Sequence, residues 1–160
     1  MGMGNLFSGS EVVKIGIQIE KNGGDFYNAL AKRSKNEKAR DVFRYLAGEE
    51  EKHIAVFKKI LESLEKYEPS ESYPGEYAAY MNTLAGDYVF TKKNKGAEMA
   101  KKMESDKEAI EAGVGFEKDS IIFYEGIKRS VPEDEHKVLE ALIIQEQCHL
   151  RQLLDLKKDF

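Results

Sequence analysis

The sequence predicts an all-α fold: a four-helix bundle of two antiparallel helix pairs joined by a long crossover that holds one or two short helices. Three observations lead there. Four long segments repeat apolar residues at alternating steps of four and three. Two of the three links between them are short, and the third occupies roughly residues 68–104.

The elements follow in order. Ser8 and Glu11 fit a capping box for a first helix running to about Ser34. Ser34 and Glu37 fit a second box, for a helix running to about Tyr67, where Pro69, Ser70, Ser72, Pro74 and Gly75 break the pattern. A third helix starts near Ser105, with Glu108 three residues on, and ends around Ser130. A fourth starts at Pro132, a favoured first helical position, and continues almost to Phe160. Residues 68–104 carry the chain back along the bundle, with Tyr73, Tyr77, Tyr80, Tyr88 and Phe90 as packing groups of a lid.

Composition narrows the classes. Among 160 residues, 41% are apolar, enough for one core, and the chain reads as one domain over 1–160. A net charge of -4 offers no footprint for nucleic acid or an anionic membrane. The one cysteine, Cys148, excludes an internal disulfide and a cysteine-rich metal site within one chain, and reads as a small core residue. The apolar runs are too short to span a bilayer, and the opening MGMGNLFSGS lacks the pattern of a secretory signal, so a cytoplasmic protein is expected.

The two halves repeat each other. Glu20-Lys21 is followed by Phe26-Tyr27, and Glu117-Lys118 by Phe123-Tyr124, at the same offset. Glu50 and His53 follow Glu20 as Glu146 and His149 follow Glu117, within one residue of the same spacing. The inward stripes are Val13, Ile17, Glu20, Gly24, Tyr27, Ala31; then Ala39, Phe43, Leu46, Glu50, His53, Phe57, Ile60, Leu64. In the second half they are Ile110, Val114, Glu117, Ile121, Tyr124, and Leu139, Leu142, Glu146, His149, Leu153, Leu156. Packing asks for apolar residues at such positions, so the shared exceptions call for another reason. The midpoints of 20 and 50 and of 117 and 146 both fall in the short turns, which sets all six polar groups in one layer.

Ionised carboxylates in an apolar interior cost several kcal/mol each unless they are neutralised. No Lys or Arg occupies the stripes at that level, and Glu20 and Glu117 would lie among Ile17, Ile121, Leu46 and Leu142 with little to pair with. Two divalent ions would balance four carboxylates. An oxygen-rich set with two imidazoles suits iron or manganese, with zinc a further occupant. The expected ligands are Glu20, Glu50, His53, Glu117, Glu146 and His149. Glu133 and His136 make a third E-x-x-H, but lie about 220° around the helix from Glu146 and His149, and read as a solvated helix start. Glu49 and Glu51 flank Glu50 outside the expected ligand set. Gly23 and Gly24 each cost roughly 1 kcal/mol inside a helix, and Gly24 lies on the inward stripe, where it leaves room for substrate or for close helix packing.

The paired E-x-x-H motifs and E-x6-Y segments resemble the rubrerythrin branch of the ferritin-like diiron-carboxylate proteins, over the four helices. The resemblance implies that Glu50 and Glu146 bridge two metal ions, that His53 and His149 each cap one, and that Tyr27 and Tyr124 hydrogen-bond near the site. It implies an oxidoreductase, a rubrerythrin-like peroxidase acting on peroxide or dioxygen in the setting of oxidative stress, with an iron-handling ferroxidase as the alternative. Two departures stand out. The paired C-x-x-C motifs of a rubredoxin domain are absent, so electrons are expected from an external donor such as a rubredoxin-like protein. Val114 stands where rubrerythrins carry an extra glutamate, which bears on the redox-dependent ligand movement of that family. A homodimer is expected.

Overall fold

The structure, a computed structural model, describes residues 9–65 and 75–160. Ser8, the end of the second helix near Tyr67, and Tyr73 lie outside the described residues. The bundle consists of α1 (Gly9–Arg33), α2 (Glu37–Glu65), α5 (Asp106–Ile127) and α6 (His136–Lys157). The crossover contributes α3 (Glu76–Asp87), a 3-10 turn at Val89–Thr91, and α4 (Gly96–Lys102). Among the described residues no helix is long and apolar enough to cross a membrane.

Helix ends follow local chemistry, with two corrections. Ser105 caps α5 as expected, its side chain accepting from Glu108 N at 3.1 Å. Ser34 does not cap α2. Its own N–H still closes the last turn of α1 on Leu30 O at 2.8 Å, so the cap falls two residues later, where Asn36 Oδ1 accepts from Ala39 N at 2.9 Å. Pro132 is not the first helical residue either. Its ψ of 151° is extended, and a 3-10 turn at Glu133–Glu135 precedes α6. Gly75 leads into α3 at φ 87°, a conformation that a side chain resists.

The four stripes point inward. Phe43, Phe57, Ile60, Ile110, Leu139 and Leu153 are fully buried, each burial of this kind stabilising by about 1.5–3 kcal/mol. Around the bundle α1 packs on α2, α5 on α6, α1 on α5, and α2 on α6. The crossover lies against α1 and α5. Phe90 stacks on Phe116 with ring centroids 3.9 Å apart, and Phe26 meets both rings edge-on. Tyr77 donates to Gly126 O at 2.6 Å, and Tyr88 is buried, but Tyr80 is 48% exposed and is not a packing group. The helix register turns Tyr77 and Met81 toward the core, and Tyr80 between them outward.

Asn22 latches the crossover. It is fully buried, donates from Nδ2 to Phe90 O and Lys92 O at 2.7 and 2.6 Å, and accepts at Oδ1 from Lys95 N and Gly96 N at 2.9 and 3.0 Å. An asparagine amide saturated in this way replaces the bonds an irregular backbone cannot make for itself.

Candidate metal centre

Glu20, Glu50, His53, Glu117, Glu146 and His149 are all buried, none more than 4% exposed. They come from the middle of the four long helices, one each from α1 and α5 and two each from α2 and α6. The i, i+3 spacing sets Glu50 with His53, and Glu146 with His149, on one helical face. Ligand atoms of those four lie within 4.8 Å of one another. Nδ1 of His53 is 2.6 Å from Glu146 Oε1 and 3.5 Å from Glu20 Oε2. Nδ1 of His149 is 3.5 Å from Glu50 Oε1 and 3.6 Å from Glu146 Oε2. The two imidazoles are nearly parallel, with centroids 5.3 Å apart.

The tyrosines cross between the halves. Tyr27 on α1 donates to Glu117 Oε1 on α5, and Tyr124 on α5 donates to Glu20 Oε1 on α1, both at 2.6 Å. Glu20 and Glu117 are therefore not surrounded by apolar side chains alone, as the sequence suggested. Each has one oxygen held by a phenol and one left over.

The leftover atoms carry the chemical argument. Glu20 Oε2, Glu50 Oε1, Glu117 Oε2, both Glu146 oxygens and Nδ1 of both histidines are buried without a hydrogen-bond partner, the short contacts among them lacking hydrogen-bond angles. The one further atom of this kind among the described residues is Gln152 Oε1. An orphaned buried polar atom costs about 1–3 kcal/mol, and more when charged. Seven of them gather at one level of the bundle, and the donor set of four carboxylates and two imidazoles fits two divalent ions.

Proton affinities record the same crowding. Burial, then the charge of Glu146, pushes Glu20 and Glu117 well above the usual carboxylate range, and Glu50 rises for the same two reasons. Burial would raise Glu146 as well, but its contacts with Glu117, His149 and His53 outweigh it and hold this carboxyl far below that range. Burial opposes charge on the imidazoles, yet Glu146 carries both past it, to about 9.

A family model described as Rubrerythrin matches residues 11–157. The chain belongs to the rubrerythrin family. A solved structure described as a ferritin-like diiron-carboxylate protein, from Thermotoga maritima, is similar over 96% of each chain, with a TM-score of 0.73 and 26% identity. No curated protein matches the chain in sequence. With the family shown and the buried glutamate and histidine cluster in place, the fold is the ferritin-like bundle and the protein is a dimetal-carboxylate protein.

Within this rubrerythrin fold other polar candidates separate from the centre. Glu133 is exposed, and His136 is half-buried with its ring nitrogen 3.3 Å from Val131 O. Cys148 is exposed and not core, because two residues past Glu146 the helix has turned outward. The glycine that makes room is Gly23, not Gly24. A Cβ on Gly23 would stand 2.9 Å from Glu50 Oε2, whereas on Gly24 the nearest atom, Glu50 Cβ, is at 3.8 Å. Gly23→Ala is therefore expected to displace the Glu50 carboxylate and lower metal affinity about tenfold. The metal-free fold gains up to ~1 kcal/mol of helix propensity. Metal titration beside denaturant melts of chelated protein separates the two effects, and unchanged affinity would refute the contact.

Sequence reasoning passed over Asn22 and Gln145. Asn22 carried a signal, being a poor helix former in the interior of an otherwise regular helix. Gln145, on an exposed face beside Glu146, carries no such signal in the sequence.

Proposed function

We propose that this protein is an oxidoreductase in which Glu20, Glu50, His53, Glu117, Glu146 and His149 hold two metal ions, iron before manganese or zinc, and reduce peroxide or dioxygen with electrons from an external donor. The observation that carries the reading is the convergence of seven buried, unpartnered ligand atoms at the centre of the bundle. Bound redox metals would supply the electrons, since hydrogen peroxide takes two electrons and two protons to become two waters. The chain's own part is positioning. Tyr27 and Tyr124 each fix one oxygen of Glu117 and Glu20, leaving the other free for an ion. The crossover aromatics shield the α1–α5 side from water. A separate electron donor, pairing into a homodimer and a cytoplasmic setting belong to the same reading.

Protein purified without chelator is expected to hold about two ions per chain. Glu50→Ala or Glu146→Ala is expected to lose most of that metal, with His136→Ala unchanged, by elemental analysis. Metal loss with His136→Ala and not with His149→Ala would overturn the ligand set. Rapid reoxidation of the reduced, iron-loaded protein by hydrogen peroxide, sustained only with added donor, supports the oxidoreductase. Uptake of hundreds of ferrous ions into a mineral core would instead establish an iron-handling ferroxidase.

A further inference from the structure

The imidazole of His53 has a partner outside the proposed ligand set. Gln145 Oε1 lies 2.8 Å from His53 Nε2, while Nδ1 of the same ring faces Glu146 and Glu20. A neutral imidazole carries its proton on one nitrogen and a lone pair on the other. An amide oxygen only accepts, so this contact holds a proton on Nε2, and an ion that replaces the Nδ1 proton meets a lone pair facing inward.

The other half lacks this device. The repeat that aligns Glu50 with Glu146 puts Glu49 at the position of Gln145, and Glu49 is instead 2.6 Å from Lys52 Nζ. Among the described residues no hydrogen bond to the outer nitrogen of His149 is found; the Tyr45 ring meets that imidazole edge-on at 6.3 Å. The repeat puts Ala141 opposite Tyr45. There a groove of about 350 Å³ opens beside Gln145, between Val56 on α2 and Ala141 and Leu142 on α6.

We propose that Gln145 is a positioning residue, fixing the tautomer and orientation of His53 so that the two metal positions differ in affinity. The inference rests on His53 being a ligand, as proposed above. Zinc binding to the whole protein by calorimetry tests it with Gln145→Leu, which removes the acceptor, and Gln145→Glu, which keeps one. Gln145 is exposed, so neither change disturbs the core.

One of two zinc constants is expected to fall by about 10–100-fold in Gln145→Leu, the other staying unchanged. Gln145→Glu is expected to return the weakened constant to within about threefold of wild type, since a carboxylate accepts the same proton. Nitrogen-15 spectra of zinc-loaded protein should show His53 as a single Nε2–H species in wild type and Gln145→Glu, and not in Gln145→Leu. Unchanged constants in Gln145→Leu, a loss spread over both ions, or a Gln145→Glu variant as weak as the leucine would each overturn the proposal. Wild-type protein that binds no zinc would overturn the metal-centre reading itself.

Discussion

Asn22→Ala is expected to destabilise the metal-free protein by about 4 kcal/mol, since it strands four backbone groups at the cost of buried, unsatisfied hydrogen bonds. Phe90 O, Lys92 O, Lys95 N and Gly96 N all depend on that one amide. Asn22→Asp is a sharper probe because its shape is the same. The carboxylate still accepts from Lys95 and Gly96, but its second oxygen then faces two carbonyls and repels them. Gly96 belongs to the same latch: a Cβ there would come within 2.0 Å of Asn22 O, so Gly96→Ala must lift the start of α4 from α1. Denaturant melts of chelated protein give the stabilities, and hydrogen exchange at residues 90–100 reports the crossover. Aspartate as stable as asparagine at pH 7 would mean that the latch does not govern that segment.

The second large effect is an opposite response to pH with and without metal. In the metal-free protein Glu20, Glu50 and Glu117 bind protons more tightly than the usual 4.5, and His53 and His149 rise from 6.5 to about 9. Groups raised on folding contribute stability that is complete below their unfolded values and is lost as pH climbs through the folded ones. Glu146, held low, works the other way and withdraws its contribution as pH falls below 4.5. Chelated protein should therefore be most stable on the acid side of neutral and weaken from about pH 6 to 9, by on the order of 3 kcal/mol. The two imidazoles share Glu146, so their contributions do not add.

Metal held by these groups would displace those protons, so its affinity is expected to rise with pH. The gap in Tm between manganese- or zinc-loaded and chelated samples is expected to widen from pH 5.5 to 8.5. Chelated protein more stable at pH 8.5 than at pH 5.5 would show that these groups do not titrate as placed.

What the sequence made legible was periodicity. Every residue of the four stripes is buried or half-buried, because a polar exception on an apolar face is visible in one dimension. What it hid were choices made in three dimensions. Ser34 and Asn36 both suit a cap, and only the last bond of α1 decides between them. Tyr27 follows Glu20 by two helical turns, yet its phenol turns to Glu117 on another helix. Cys148 looks like core by residue type and is exposed by helix phase.

The crossed tyrosines bear on how such a chain could arise. Neither helix pair supplies the phenol for its own carboxylate, so a lone pair would be incomplete. Two copies of one hairpin, related by a twofold axis through the centre, would complete each other. Such an ancestor would be bound by its symmetry: identical halves give identical surroundings to both imidazoles. Joining them into one chain by residues 66–105 removes that restriction. Gln145 against Glu49, and Ala141 against Tyr45, are differences that a symmetric pair could never hold, and through them Gln145 meets His53 while Tyr45 meets His149.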